Sequence, residues 1–409
     1  MVKSIFFLAI FLMSFINAQT IRVAVFSGDK INRIRFSYDV SSYSVYADTL
    51  YVGELNNSDF IDLIATDSSK VKLFFGVIEI GKYKKIKLIQ NQSNGFLTLT
   101  QKATEIKPRK YVGDFEISIN KQGLSIVNVV NLEDYIAGVV ESEGGVGHHL
   151  EYYKAQAVLS RTYAIKNLNR HGKDSYDLCD RVHCQAYHNK WRFSNTILQA
   201  VAETKQEVLV HKNNAFVEGF FHANCGGQTS ESDYIWNESI PYLTSFKDTF
   251  CIYTKQANWE KKIAKSKWTA FFKENYFVPE SDSFFAFQHV NFKQENRMAF
   301  FVNPKYGIPL RDIRDKFKLK STYFSCVDVG DFVLLKGKGY GHGVGLCQEG
   351  AMKMAKSKFS YEQILTYYYS GTNLLKLSSL LNKPTLVKLD KEIITFETFF
   401  ENSTAEKME

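Results

Sequence analysis

Apolar and polar residues alternate along the early part of the chain. Ile21-Arg22-Val23-Ala24-Val25, Arg33-Ile34-Arg35-Phe36-Ser37-Tyr38 and Val71-Lys72-Leu73-Phe74-Phe75 keep a period of two, with Gly, Asn and Ser breaks between them. That spacing, filled with β-branched and aromatic residues, predicts strands. Residues 19–107 therefore read as a β-rich N-terminal region. The same style continues beyond it: Asp114 to Ile119 and Leu124 to Val130 flank Asn120-Lys121-Gln122-Gly123, the signal of a hairpin. The apolar run Val130 to Val140 then reads as a strand-like entry into a polar loop, Ser142-Glu143-Gly144-Gly145. A helix follows over about 150–168, with Leu150, Tyr153, Ala157, Ser160 and Ala164 on one narrow face and Lys154, Val158, Arg161 and Ile165 on the next.

Further along, the texture becomes lysine-rich and amphipathic over about 248–322, which reads as an insertion in a domain spanning 108–375. After it, Gly337-Lys338-Gly339-Tyr340-Gly341-His342-Gly343-Val344-Gly345 places glycines on alternate positions. A strand there would have little side chain to pack, so the run reads as a loop crossing beneath a ligand and presenting His342 and Gln348. No Gly-Lys-Ser/Thr ending marks it as a phosphate loop. Residues 376–409 read as a tail. The class expected is α+β: a β-rich N-terminal region plus a mixed catalytic domain with an inserted subdomain.

Composition narrows the picture. With 45% hydrophobic and 15% aromatic residues, the 409-residue chain is a packed protein and not a disordered one. Its net charge of +8 comes without a Lys/Arg block or a binding motif, which argues against nucleic acid as a partner. Residues 1–18 combine a basic Met1-Val2-Lys3 start, an apolar run and Ala18 at the end. They read as a secretory signal, too short for a comfortable membrane span. A secreted, periplasmic or cell-envelope location follows, with membrane attachment only if the signal stays uncleaved.

Six cysteines in such a compartment form disulfides, hold metal, or divide between the two. Cys179 and Cys184 flank His183 in one polar loop, while Cys225, Cys251, Cys326 and Cys347 are scattered. Two thiols and an imidazole so close make a tetrahedral zinc site, with His171 in reach, or else a Cys179–Cys184 disulfide. Cys225 and Cys251 are the favoured disulfide pair of the rest. His222 beside Cys225 lacks a second ligand pair nearby in sequence.

Two readings compete for the central stretch. Ser142 or Glu143 could simply cap a helix. Alternatively, Glu143 serves acid–base chemistry beside a helix carrying Lys154, Gln156 and Arg161. An arginine in so apolar a helix needs a carboxylate partner or a polar cleft, unless it reaches out to solvent.

Three segments together resemble the family of stage II sporulation protein D and the amidase enhancers. They are Asn131-Leu132-Glu133-Asp134-Tyr135 through Ser142-Glu143 to Arg161-Thr162-Tyr163-Ala164; then Asn224-Cys225-Gly226-Gly227-Gln228-Thr229; then Gly339 to Gly345 with Gln348 and Gly350-Ala351. The resemblance implies a lytic transglycosylase that cleaves the MurNAc–GlcNAc bond of peptidoglycan glycan strands and leaves a 1,6-anhydro end. It implies Glu143 as the catalytic acid, Arg161 in support as a substrate contact, and a zinc loop matching Cys179, His183 and Cys184. Lys154, Gln156, Tyr340, His342 and Gln348 are the expected substrate-binding residues, and Glu141 is the nearest rival carboxylate. Where the family often has Met-Pro after the Ser-Glu pair, this chain has Gly144-Gly145, a change expected to loosen the loop. Two other functions fit the same groove: a non-catalytic wall-binding protein that stimulates a cell-wall amidase, and a zinc hydrolase. A hydrolase would need an open metal coordination position, which a Cys-rich ligand set disfavours.

Overall fold

The computed structural model describes residues 20–381 apart from positions 57, 68, 93–94, 102–106, 189–193 and 280, together with residues 388–389 and 392–393. The expected signal at 1–18 and most of the expected tail beyond 381 lie outside these residues. The chain divides into two compact units, Met1–Val208 with Leu375–Glu409, and Leu209–Leu374. No helix among the described residues is long and apolar enough to cross a membrane.

In the first unit the alternating runs become strands. They are β1 (Thr20–Ala24), β2 (Arg33–Val40), β3 (Tyr43–Ala47), β4 (Leu50–Leu55), β5 (Phe60–Ala65), β6 (Val71–Phe75), β7 (Ile78–Tyr83), β8 (Ile86–Gln90), β9 (Phe96–Thr100), β10 (Arg109–Tyr111), β11 (Asp114–Asn120), β12 (Gly123–Asn131) and β13 (Leu178–Cys179). Seven form one sheet in the order β13-β1-β12-β11-β8-β3-β4, and six form a second, β10-β9-β2-β5-β6-β7. The period of two shows in β3, whose first, third and fifth residues are buried while those between are half-buried. β11 and β12 pair from Asp114↔Val129 to Asn120↔Gly123, the hairpin expected there. The α+β class and the β-rich start of the chain are as read from the pattern.

One element differs. The strand-like entry ends at Asn131, and α1 (Leu132–Gly144) carries the chain through Ser142 and Glu143. Asn131 caps the helix by accepting the Glu133 amide at 2.9 Å, and Glu133 and Asp134 place acidic charge in its first turn. The buried residues Leu132, Tyr135, Ile136, Val139 and Val140 form a helical stripe within a run that is apolar throughout. In so short an apolar run the periods of two and 3.6 cannot be told apart. Ser142 and Glu143 cap neither helix, because α2 (Leu150–Lys166) is capped by His149. α2 is enclosed on nearly every side, not on a narrow face alone, and packs with α1 and α3 (Asn195–Glu203).

The second unit contains a three-stranded antiparallel sheet of β15 (Asn258–Ala264), β17 (Phe332–Lys338) and β16 (Phe324–Asp328), with β17 in the middle. With α4 (Lys265–Asn275) and α5 (Leu310–Phe317) it encloses a core rich in rings, including Trp259, Trp268, Phe272, Phe301 and Phe324. Much of the aromatic content thus serves packing. Elsewhere in this unit β14 (Phe221–His222) runs parallel to β18 (Leu346–Cys347), and α6 (Gln348–Lys356) and α7 (Tyr361–Tyr368) follow.

Candidate active site and metal centres

Glu143 lies in the last turn of α1, just before the helix ends at Gly145 with φ 69°. Its carboxylate Oε1 accepts the Ala186 amide at 2.6 Å, and the side chain is half-buried. Removal from water pushes its pKa up, against the weaker downward pull of that amide. The neighbouring Ser142 hydroxyl accepts the His188 amide at 3.1 Å and donates to the Gly138 carbonyl at 2.7 Å. Both members of the Ser-Glu pair are therefore held by one segment, residues 186–188. That segment is fixed in turn by Tyr187, whose hydroxyl donates to Asn128 Oδ1 at 2.9 Å and whose carbonyl accepts from Tyr111 at 3.2 Å.

The glycines after Glu143 end a helix. Gly144 packs so closely that an added Cβ would lie 2.9 Å from the Tyr152 hydroxyl. Gly145 takes the positive φ that a helix end favours and returns its amide to the Glu141 carbonyl. The Tyr153 hydroxyl donates to the Gly145 carbonyl and accepts the His148 amide, each at 3.0 Å. Between these fixed points Gly145, Val146 and Gly147 are exposed. Glu141 is buried.

The residues expected beside Glu143 on α2 are occupied otherwise. The Arg161 side chain is fully buried; its Nε and Nη2 grip the Glu133 carboxylate at 2.5–3.2 Å, and Nη1 donates to the Glu207 carbonyl at 3.1 Å. The carboxylate partner that burial demanded is thus Glu133. The guanidinium faces α1. Gln156 is also enclosed, and Lys154 pairs with Glu151 at 2.9 Å and Glu203 at 2.7 Å. In this arrangement neither Arg161 nor Gln156 presents its polar head to a substrate.

His171, Cys179, His183 and Cys184 converge, with one ligand atom from each within 4.8 Å of the others. Cys184 Sγ stands 3.4 Å from His171 Nε2 and 3.7 Å from His183 Nδ1, and Cys179 Sγ stands 3.9 Å from His183 Nδ1. A tetrahedral ion with bonds of about 2.0–2.3 Å requires edges near these lengths. The other nitrogen of His171 lies 3.3 Å from Asp174, a carboxylate that would orient the ring. Hydrogen bonding between the two sulfurs favours a thiolate in the pair, the form that binds metal. These four residues could hold a metal ion, and neither cysteine is in a disulfide. The loop is anchored by β13 on β1, and by Asp180, which accepts the Phe26 amide at 2.6 Å and pairs with Arg109 at 2.8 Å. Sequence reading passed over Asp180 although it sits among the ligands.

Tyr340, His342 and Gln348 belong to the second unit. Tyr340 is 46% exposed, while Gln348 is buried. Neutral His342 donates from Nε2 to the Phe221 carbonyl at 3.0 Å and accepts the Val344 amide at Nδ1 at 3.1 Å. Burial and the charges of Arg314 and Arg297 lower its pKa to about 4. It packs beside Trp236, with ring centroids 5.2 Å apart, and that tryptophan had no motif to mark it. The glycine run packs against the chain itself. It presses against the backbone of residues 220–226: an added Cβ would approach the Asn224 carbonyl to 2.5 Å from Gly339, and the Phe220 carbonyl to 2.1 Å from Gly345. Gly337 lies within β17, where a Cβ would strike Trp259. Cys225 and Cys251, the expected disulfide pair, are neighbours with sulfurs 3.3 Å apart, but no bond joins them and Cys347 stands with them.

The model of a family described as stage II sporulation protein matches residues 120–211, which hold α1, α2 and the metal loop. The stage II sporulation protein D of Bacillus subtilis is 31% identical over 277 residues, covering 63% of this chain and 78% of the relative. The chain belongs to the stage II sporulation protein D family. An uncharacterised protein of Brachyspira hyodysenteriae is 27% identical over 383 residues, covering 88% of this family member and 94% of the relative. A Bacillus subtilis protein named amidase enhancer is 28% identical over 337 residues, covering 66% of this chain and 46% of the relative.

Proposed function

We propose that this family member works in the bacterial cell envelope as a peptidoglycan lytic transglycosylase with Glu143 as its acid and base. The observation that carries the reading is the setting of Glu143: a carboxyl partly removed from water, with a raised pKa, aimed by one backbone amide beside an exposed loop. A carboxyl so placed keeps its proton to higher pH, as a general acid must. Glu143 gives that proton to the glycosidic oxygen as the bond to MurNAc C1 breaks. The C6 hydroxyl of the same MurNAc attacks C1, and the Glu143 carboxylate takes the hydroxyl proton. The carboxyl is restored, the 1,6-anhydro ring closes and no water is consumed. One carboxylate suffices where an ordinary glycosidase needs two.

Arg161 we assign to holding α2 against α1 through Glu133, a positioning role. His171, Cys179, His183 and Cys184 would hold zinc, which fits two sulfurs and two imidazole nitrogens and would stiffen the loop. Ala186, whose amide holds Glu143, lies only two residues beyond Cys184. Tyr340 is kept as a glycan contact.

Digestion of purified glycan strands, with products identified by mass spectrometry, tests the proposal: anhydro-sugar ends should appear and Glu143→Gln should abolish them. The relative named amidase enhancer favours a second reading, stimulation of a cell-wall amidase without cleavage. In that case Glu143→Gln would leave amidase stimulation and glycan binding intact, and no anhydro ends would form with either protein.

A further inference from the structure

We propose that Cys225, Asp248, Cys251 and Cys347 bind a zinc ion as a closed structural site in the second unit, separate from the loop around Cys179. Their ligand atoms lie within 4.8 Å of one another and all four residues are buried. Cys225 Sγ is 3.3 Å from Cys251 Sγ and 3.3 Å from Asp248 Oδ2. An ion with Zn–S bonds of about 2.3 Å would spread these sulfurs by only a few tenths of an ångström.

A disulfide accounts for this cluster poorly. One bridge among three sulfurs leaves the third unmatched, and it leaves a buried carboxylate with no cation to justify its burial. Three thiolates and a carboxylate make a soft, anionic set that suits zinc and leaves no coordination position open.

The surroundings are built as an outer shell. The Tyr368 hydroxyl donates to Asp248 Oδ2 at 2.8 Å, and the Phe250 amide donates to Oδ1 at 3.0 Å. Cys347 Sγ accepts the amides of Cys225 at 3.3 Å and Gly350 at 3.4 Å. Cys347 is also the N-cap of α6, where a thiolate is favoured. A Cβ at Gly350 would lie 2.2 Å from the Tyr368 hydroxyl and 2.8 Å from Asp248 Oδ2, so glycine there keeps the shell open. Bonds from neutral amides and hydroxyls to sulfur and carboxylate are what hold metal ligands in place.

Charge gives a second argument. Arg297 is 5% exposed, and its partners among the described residues are neutral: the carbonyls of Cys225 and Gln228, each at 2.7 Å, and the Thr322 hydroxyl at 3.3 Å. A buried guanidinium served by neutral acceptors is costly. A zinc bound by three thiolates and a carboxylate is net negative, and would offset that charge through the ligand Cys225. The site also accounts for two of the family motifs. Asn224-Cys225-Gly226-Gly227 and the glycine run ending at Cys347 bridge at Asn224↔Tyr340 and pair along β14 and β18, bringing together cysteines far apart in sequence.

The test is metal analysis of the full chain purified without chelator from zinc-supplemented cells, paired with non-reducing peptide mapping. Two zinc ions per chain are expected, falling to one in Cys179→Ser/Cys184→Ser and to one in Cys347→Ser. X-ray absorption at the zinc edge of the Cys179→Ser/Cys184→Ser protein should show three sulfurs and one oxygen. Where Cys347→Ser fails to fold, the zinc content of the Cys179→Ser/Cys184→Ser protein and the wild-type map still decide. A Cys179→Ser/Cys184→Ser protein that folds without zinc, or a Cys225–Cys251 disulfide with Cys347 as a thiol, overturns the proposal.

Discussion

The role proposed for Glu143 and the stability of the fold pull in opposite directions. Its pKa in the folded protein lies above the unfolded value, so its favourable contribution exists at low pH and is lost as pH rises through the folded pKa. At neutral pH the ionised group is partly stranded from water. Glu143→Gln keeps an oxygen for the Ala186 amide and removes that charge. The variant should therefore melt higher than the parent at pH 7, with the gap closing below pH about 4, where the parent's carboxyl is protonated folded or unfolded. Equal or lower melting at pH 7 would sink this account. In turnover the same change should cost about 10²–10⁴, the usual worth of acid–base assistance, while Glu141→Gln should cost little. Parent activity should also fall on the alkaline side as Glu143 loses its proton. Glu143 is singled out by the resemblance and not by spacing, which would as readily make it a helix cap. Ala186 was not legible, because it acts through a backbone amide that no side-chain pattern records. Nor could Glu133 be named as the partner of Arg161, since that choice is made by packing between helices.

Among elements, α1 and α2 depend on one clamp. Glu133→Gln would leave Arg161 buried beside a neutral amide, and breaking such a pair costs about 3 kcal/mol or more. A denaturant midpoint indistinguishable from the parent would show that the clamp is idle. The metal loop is the second lever. If the ion bound at Cys184 steadies the segment that carries Ala186, Cys184→Ser should lose metal and cut turnover by roughly 10- to 100-fold, the range seen when supporting shells are removed. Metal content and turnover measured on the same preparation check it, and a variant that loses this ion yet keeps full activity refutes it. The cluster of His171, Cys179, His183 and Cys184 was legible because these residues lie close in sequence. The helical nature of α1 was not, since an apolar run hides its period and the deciding cap is the single residue Asn131. The glycine run was only partly legible: its spacing shows that something approaches closely, but not that the chain's own backbone at residues 220–226 does so.

For the whole molecule, long separations decide what sequence could and could not tell. Cys225, Cys251 and Cys347 looked scattered because nothing in their spacing announces β14 and β18, whereas Cys326 remains alone, buried in the aromatic core. The first unit is itself discontinuous. Its chain leaves at Val208 and returns at Leu375, and the return is fastened where it left: the Leu377 amide donates to the Gln206 carbonyl at 2.9 Å, and Lys376 pairs with Glu207 at 3.0 Å. A protein truncated after Leu374 should keep the second unit's metal yet melt its first unit at lower temperature, which calorimetry of the two proteins would reveal. The same fastening sets an order of manufacture. A ribosome has finished β1 to β13 and all of Leu209–Leu374 before residues 375–377 exist. The unit that carries Glu143 is therefore the first begun and the last completed, and a partly made chain cannot close it.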